Sequence, residues 1–234
     1  MSAILIFMAA IASIIVWWMS RQRLTSKPWL ETGQASDMPR MQGSPVATAK
    51  IGLGIFLAVI GALFALFISA YLMRMGGADW WGIPIPDLLW VNTAVLAASS
   101  VALQWAKREA RSGRSETLNI ALTVAAATAV LFLAGQLVAW RQLVSAGYVL
   151  ADNPANSFFY MITGLHALHI LGGLLVLGRT AVRARTGLAT EKLYLSVDLC
   201  ALYWHFMLVV WLIIFALLAG WAYDFADLCR QLLR

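Results

Sequence analysis

Six stretches of this sequence are apolar enough and long enough to cross a lipid bilayer as helices. A hydrocarbon core of ~30 Å requires about 20 helical residues, and the backbone inside it must satisfy its own hydrogen bonds. Only 12% of the residues are charged and 62% are hydrophobic, whereas about a quarter of a soluble domain is charged. We therefore expect an all-α integral membrane protein, a bundle of about six transmembrane helices. The six stretches are Ala3–Met19, Ile51–Met73, Leu88–Ala106, Leu118–Trp140, Phe158–Leu177 and Leu193–Trp221.

The basic residues alternate between the loops that join these stretches. Thirteen of the 17 Lys and Arg residues fall in the first, third and fifth loops. Because loops rich in Lys and Arg stay in the cytoplasm, the pattern predicts that both termini lie on the outer, periplasmic side. It also accounts for the net charge of +6 as a topology signal, so we expect no nucleic-acid partner.

Four parts are expected along the chain: an N-terminal anchor helix over residues 1–20, a cytoplasmic loop over 21–49, a five-helix bundle over 50–223 and an outer tail over 224–234. The first helix has two arginines after its apolar core and no basic residue before it. That order favours an uncleaved anchor over a signal peptide. The loop is rich in Pro, Gly and Ser, which predicts irregular structure, either a docking arm or a linker.

Five polar residues fall inside the apolar stretches: Gln136, His166, His169, Asp198 and His205. Each is costly to place in hydrocarbon, so each should face another helix. At ~1.5 Å per residue, His169 lies about 16 Å from the outer edge and His205 about 18 Å from the cytoplasmic edge. Asp198 precedes His205 by two helical turns and should share its face. We therefore expect one polar cluster near the middle of the membrane.

Several interpretations of this cluster remain open. His169 and His205 could ligate a haem across a gap between helices, and three imidazoles could bind a transition metal. The three rings could equally form a buried network of neutral, hydrogen-bonded histidines, or line a proton or substrate path. The two cysteines form no haem-attachment or paired-Cys metal motif, and no phosphate-binding loop or nucleophile–base arrangement is evident. An independent enzyme is therefore not indicated.

Two of the apolar stretches resemble helices of subunit III of the haem–copper terminal oxidases. One carries the family's Thr-Gly-x-His-x-x-His pattern and the other its Tyr-Trp-His-Phe pattern. Lys50–Tyr71 and Leu88–Ala106 resemble two earlier helices of the family, so the resemblance runs from Lys50 to about Tyr223. The matching positions are Thr163, Gly164, His166 and His169, then Tyr203, Trp204, His205 and Phe206, with Asn92, Thr93, Ser99 and Ser100 earlier in the chain.

The sequence departs from the family at two acidic positions. Val59 and Ile60 replace a Ser-Glu pair, and Leu208 replaces an Asp three residues after the Tyr-Trp-His-Phe histidine. Asp198 stands at a third acidic position, seven residues before that histidine. A lipid or proton role attributed to the missing carboxylates therefore cannot be carried over to this chain.

The resemblance implies a non-catalytic subunit, without haem, copper or another metal, in a bacterial inner-membrane complex. Such a subunit packs against subunits I and II, binds phospholipid in a cleft between helices and supports proton uptake into subunit I. It also implies that His166, His169, Asp198, Trp204 and His205 form a structural polar network beside a lipid cleft, while Thr163, Gly164, Asn92 and Tyr203 serve packing.

The complex is expected to be a cytochrome c oxidase. A quinol oxidase or nitric oxide reductase subunit is the alternative within the family. A b-type cytochrome or a small transporter is the alternative from another class of protein.

Overall fold

The computed structural model of the chain describes residues 45–186 and 190–221. All five helices in these ranges are long enough and apolar enough to span a membrane, which confirms five of the six expected helices. The expected anchor helix, nearly all of the 21–49 loop and the 224–234 tail lie outside the described residues. The helices are α1 (Pro45–Arg74), α2 (Leu88–Ser112), α3 (Ser115–Ser145), α4 (Pro154–Arg185) and α5 (Thr190–Leu218).

The helices extend beyond the apolar stretches that predicted them. α4 continues eight residues past Leu177 to Arg185, and α3 begins at Ser115, three residues before Leu118. The extra turns carry Arg, Ser and Thr, whose polar ends suit the headgroup region. The backbone keeps its helical hydrogen bonds there, so hydropathy locates the membrane core and not the helix ends.

Two polar side chains fix where helices begin. The side chain of Asn153 accepts a hydrogen bond of 3.0 Å from the backbone N–H of Ala155 and caps the start of α4. Glu109, buried near the end of α2, accepts bonds from Arg114 at 2.6 and 2.8 Å and from the hydroxyl of Thr117 at 2.7 Å. Because these donors stand at the start of α3, Glu109 joins α2 to α3 across a turn of two residues.

Four of the described helices form a ring. α2 packs against α3 and α5, and α4 packs against the same two helices. α1 lies outside the ring, against the edge formed by α4 and α5. In lipid, apolar contact with a neighbour is no better than contact with a lipid tail, so close packing and interhelical hydrogen bonds decide the arrangement. The interior is filled by large buried side chains, among them Phe132, Ile162, Ile170, Trp204 and Trp211.

Gly173 on α4 lies directly against two aromatic rings of α5. A methyl group built on its Cα would lie 2.6 Å from the Tyr203 ring and 2.8 Å from the Trp204 ring. Neither distance leaves room for a carbon atom. A methyl group built on Gly172, the preceding residue, would have nothing within 4 Å. Of these two glycines, therefore, only Gly173 is required by packing.

We expect Gly173→Ala to lower the thermal stability of the assembled protein, because overpacking of a close contact costs about 1–3 kcal/mol. The measurement is the temperature at which the detergent-purified chain leaves its monodisperse peak in size-exclusion chromatography. Gly172→Ala is the matched control and should leave that temperature unchanged. Equal behaviour of the two variants would contradict the assignment of the close contact to Gly173.

Candidate functional site

The interface between α2 and α5 carries polar contacts at successive levels. The two helices are antiparallel, so residues with decreasing numbers on α2 contact residues with increasing numbers on α5. We call these residues the polar seam. From the α2–α3 turn inward, the contacts are Arg111 Nε to Tyr194 Oη (2.8 Å), Lys107 Nζ to Asp198 Oδ1 (2.6 Å), Ser100 and Gln104 to the ring of His205, and Trp211 Nε1 to Thr93 Oγ1 (2.9 Å).

Asp198 joins three helices. Its carboxylate pairs with Lys107 of α2 and, at 2.8 Å, with Lys50 of α1. The carboxylate is nearly buried, while both lysines are partly exposed. One negative charge therefore holds two positive charges from neighbouring helices at the end of the bundle that carries the α2–α3 turn. Asp198 lies on the same seam as His205, as expected, but its contacts are with lysines.

Both ring nitrogens of His205 are engaged. Nε2 lies 3.3 Å from Oε1 of Gln104, and Nδ1 contacts the hydroxyl of Ser100. A carbonyl oxygen only accepts, so Nε2 carries the proton and donates it. In the neutral ring Nδ1 is then an acceptor, and the Ser100 hydroxyl donates to it. No lone pair of this imidazole is left for a metal or a haem iron in this arrangement.

His166 lies at the centre of the ring of helices and is fully buried. Its Nε2 donates to the backbone carbonyl of Met207 at 3.1 Å, while Nδ1 has no hydrogen-bond partner among the described residues. The imidazole is enclosed by aromatic side chains, with centroid distances of 4.9 Å to Trp211 and 5.7 Å to Phe132. His166 therefore links α4 to α5 from the interior of the bundle.

His169 faces α1 and a cleft between α1, α4 and α5. Its Nδ1 donates to the carbonyl of Leu165 at 2.8 Å, one turn earlier in the same helix. Its ring lies 5.5 Å from that of Phe64 on α1, and its own carbonyl accepts a bond of 2.8 Å from the Tyr203 hydroxyl. The cleft has a volume of about 530 Å³, so His169 sits where a molecule could enter between helices.

Trp204 lines the same cleft, and so do two arginines. Its side chain is fully buried, and the indole N–H has no partner in the described part of the chain. Arg179 and Arg183 lie at the cleft's charged end, one turn apart on α4 and exposed. The cleft therefore combines two cations, an apolar wall and a buried donor.

The remaining motif residues make packing contacts. Thr163 donates to the carbonyl of Phe159 at 2.6 Å and accepts from the indole N–H of Trp140 at 3.1 Å. A methyl group on Gly164 would lie 3.6 Å from the Trp140 ring, an ordinary contact distance.

Asn92 ties α2 to α3. Its side chain donates to the Phe132 carbonyl at 3.1 Å and lies 3.5 Å from Gln136. A methyl group on Gly135 would collide with that amide.

The three histidines thus occupy three separate positions. His166 contacts α5 from inside the ring, His169 faces α1, and His205 is bonded to α2. Haem ligation by His169 and His205 would need the two rings to face one another, and their contacts lie on different helices. Across residues 45–186 and 190–221, no group of three or more His, Cys, Asp or Glu side chains is close enough to hold one metal ion.

The contacts that α2 makes in the seam were missed by the sequence reasoning, although a signal for them exists. Ser100, Gln104, Lys107 and Arg111 recur at intervals of three and four residues along α2, the spacing of one helix face. A polar stripe of this kind marks the face that meets another polar helix. Hydropathy alone does not reveal it, because the stripe runs from the apolar core into the polar end of α2.

Comparison with known proteins identifies one family along most of the chain. Residues 46–223 match the family described as cytochrome c oxidase subunit III. A Synechocystis sp. protein named cytochrome c oxidase subunit 3 is 30% identical over 211 residues, which cover 84% of this chain and 89% of that protein. A protein of the same name from Thermostichus vulcanus is 30% identical over 173 residues, covering 72% of this chain and 85% of the relative.

A plant relative matches over a smaller part. The Triticum aestivum protein, also named cytochrome c oxidase subunit 3, is 31% identical over 147 residues. These cover 63% of this chain and 52% of that protein, so the match spans about half the length of the plant relative. The resemblance carried by the double-histidine helix and the Tyr-Trp-His-Phe helix is thereby confirmed, and the chain belongs to the cytochrome c oxidase subunit III family.

Proposed function

We propose that this subunit III of a haem–copper oxidase has no catalytic or redox role of its own and stabilises the catalytic subunit I. Membership of the family makes the chain part of a hetero-oligomeric membrane complex. The observation that carries the proposal is the polar seam, where His205 and Asp198 direct their polar atoms to neighbouring helices. Side chains engaged in this way hold helices in register. The partners are subunits I and II of a cytochrome c oxidase, the name borne by the relatives.

The chain is a multi-pass membrane protein, and we propose the bacterial inner membrane as its location. Alternation of five helices puts Lys107, Arg111 and Arg183 at the same end of the bundle, opposite Arg74 and Arg141. The more basic end is the cytoplasmic one by the positive-inside rule. With residues 1–20 as an anchor, 21–49 as a cytoplasmic loop and 224–234 as an outer tail, both termini lie outside.

We propose that the cleft between α1, α4 and α5 holds a phospholipid. Arg179 and Arg183 suit the phosphate, because guanidinium groups bind phosphate oxygens at close range. Phe56 and Val176 provide an apolar wall for an acyl chain. In this proposal the chain itself carries no haem or copper.

We also propose that the chain supports proton uptake into subunit I, but not through the two positions at which the family has a carboxylate and this chain does not. Ile60 and Leu208 cannot bind or release a proton, so that support cannot come from a carboxylate at either position. A b-type cytochrome using His205 as a ligand is disfavoured, because both nitrogens of that ring are hydrogen-bonded.

The function is tested by affinity purification of the tagged chain from native membranes in mild detergent. We expect a haem-bearing subunit I and a copper-binding subunit II to co-purify, and a reduced-minus-oxidised spectrum of the eluate to show their haems. The motifs of subunit II would then identify cytochrome c or quinol as the donor. A chain that purified alone would overturn the proposal, in favour of a b-type cytochrome if it carried haem and of a transporter if it were colourless.

We expect His205→Leu to reduce the amount of subunit III retained in the purified oxidase. The change leaves Ser100 and Gln104 without their partner inside the membrane, at about 1–3 kcal/mol for each unsatisfied group. The initial rate of oxygen reduction per subunit I should stay near that of the wild type. Lys192→Gln, an exposed polar change at the start of α5, is the control. A normal subunit ratio together with lost oxygen reduction would contradict a structural role for His205.

We expect Ile60→Glu, which restores the family's acidic residue, to lower the level of assembled chain. Ile60 is only 3% exposed, and the next turn of α1 presents the aromatic ring of Phe64. An unpaired carboxylate at the bilayer centre costs ~2.5–3.5 kcal/mol. The level is measured by quantitative immunoblotting of membranes, with Ile60→Leu as the size-matched control. Wild-type levels of the Glu variant would show that α1 faces a polar cleft at this point.

We expect the double variant Arg179→Gln, Arg183→Gln to lose phospholipid from the cleft. Near a membrane surface, each cation contributes ~1 kcal/mol of attraction to anionic lipid, so removing two should weaken binding about thirtyfold. Bound lipid is measured by cross-linking with a phosphatidylglycerol that carries a diazirine on its acyl chain. Labelled peptides from α1 and α5 that include Phe56 or Tyr203 should disappear. Unchanged labelling of these peptides would refute the proposed phosphate site.

A further inference from the structure

We propose that a groove between α2 and α5 binds a second glycerophospholipid, with its phosphate on Arg108 and an ester carbonyl on Gln104. The groove has a volume of about 450 Å³. It shares no residue with the cleft that contains His169, so the inference goes beyond the proposed function. We call it the α2–α5 groove. Its lining consists of Ala97, Ser100, Val101, Gln104, Trp105 and Arg108 of α2 and His205 and Leu208 of α5.

Arg108 has no anionic partner among residues 45–186 and 190–221. It is exposed and forms no salt bridge or hydrogen bond within the described part of the chain. Its basic neighbours are all engaged, Lys107 with Asp198, Arg111 with Tyr194 and Arg114 with Glu109. The guanidinium of Arg108 is therefore available to an anion from outside the bundle. A guanidinium carries five N–H donors in a fork that matches phosphate oxygens.

Gln104 adds further N–H donors one helical turn deeper in the membrane than Arg108. Its Oε1 accepts from His205 Nε2, which fixes the amide so that its NH₂ group has two N–H donors to offer. No hydrogen bond to this NH₂ group is found within the described ranges. The nearest acidic side chain on α2, Glu109, lies outside the groove lining and is bonded to Arg114 and Trp105. The groove therefore offers donors to a ligand that only accepts.

The order of the groups along the membrane normal is that of a phospholipid. Arg108 is one helical turn from the end of α2 and lies ~6 Å along the axis from Gln104. Beyond Gln104 the lining includes the apolar side chains of Val101, Ala97 and Leu208, which continue ~10 Å toward the middle of the membrane. The polar groups at this depth, Ser100 and His205, are bonded to one another. In a glycerophospholipid the phosphate is followed by ester carbonyls a few bonds deeper, and then by an acyl chain.

The chemistry of the groove favours a phospholipid over a transmembrane helix of a partner. The groove has room for a stretch of acyl chain with its glycerol ester, at about 450 Å³, and it places a cation and amide donors above that stretch. A partner helix would also have to bring a carboxylate to the depth of Arg108.

The test cross-links diazirine-bearing phosphatidylglycerol to the full-length chain within its purified complex, followed by peptide mass spectrometry. We expect label on peptides that contain Ala97–Val101 and Leu208. Arg108→Gln should lower that label about fivefold, the factor equivalent to ~1 kcal/mol per cation, and Gln104→Leu should lower it further. Excess inorganic phosphate should not compete, because it lacks the acyl chain.

Arg185→Gln is the matched control. Arg185 is also an exposed cation without a partner in the ranges described, but it lies on α4 and lines neither the groove nor the cleft. Label in the groove should be unaffected by this change. Label at Phe56 and Tyr203 in the Arg108 variant reports that the bundle is folded. Because Phe56 and Tyr203 line the cleft and not the groove, label on their peptides also shows whether lipid binding is lost in the groove alone or in the cleft as well.

Two results would overturn the inference. Groove label that persists in Arg108→Gln would mean that the guanidinium does not bind the phosphate. Groove label that occurs on the isolated chain but is lost in the complex, with a partner subunit cross-linked in its place, would mean that a protein covers this surface.

Discussion

The hydrogen bonds across the α2–α5 interface are the interactions on which the rest of the bundle depends. In hydrocarbon a polar side chain cannot exchange a protein partner for water, so a polar residue is stabilised by a partner within the protein, often on a neighbouring helix. Asp198 and His205 find theirs on α2, and Asp198 also engages Lys50 of α1. These contacts fix the register of α2 against α5 and attach α1 to α5. Apolar packing then fills the space that the polar contacts define.

The sequence was sufficient to predict the presence of five of the helices, because hydropathy measures what the membrane requires. It did not predict their ends. α4 runs to Arg185 although its apolar stretch stops at Leu177, since helical hydrogen bonding continues in the headgroup region where hydropathy gives no signal. The polar residues were also found from sequence, with Asp198 and the three histidines all singled out. Their pairing with Lys50, Lys107, Ser100 and Gln104 was not predicted, because rise along a helix gives depth but not the direction of a side chain.

The difference between the depth of a residue and the direction of its side chain explains why the three histidines do not form one cluster. His169 and His205 were assigned similar depths, but a residue advances 100° around the helix for every 1.5 Å along it. Two rings at one level can therefore face opposite neighbours. His169 faces Phe64 on α1, and His205 faces Ser100 on α2. The motif residues identify the family and the helices that carry them, and only the three-dimensional arrangement shows that they serve three different contacts.

The position of α1 outside a closed ring has a consequence for how such a bundle can change its size. α2, α3, α4 and α5 each have two neighbours within the ring, whereas α1 contacts only one edge of it. α1 is held near one end by Lys50 and near the other by the aromatic group of Tyr71, Trp80 and Phe158. Among the described helices, therefore, the far side of α1 is the margin at which a further helix can be added or removed without breaking a contact inside the ring.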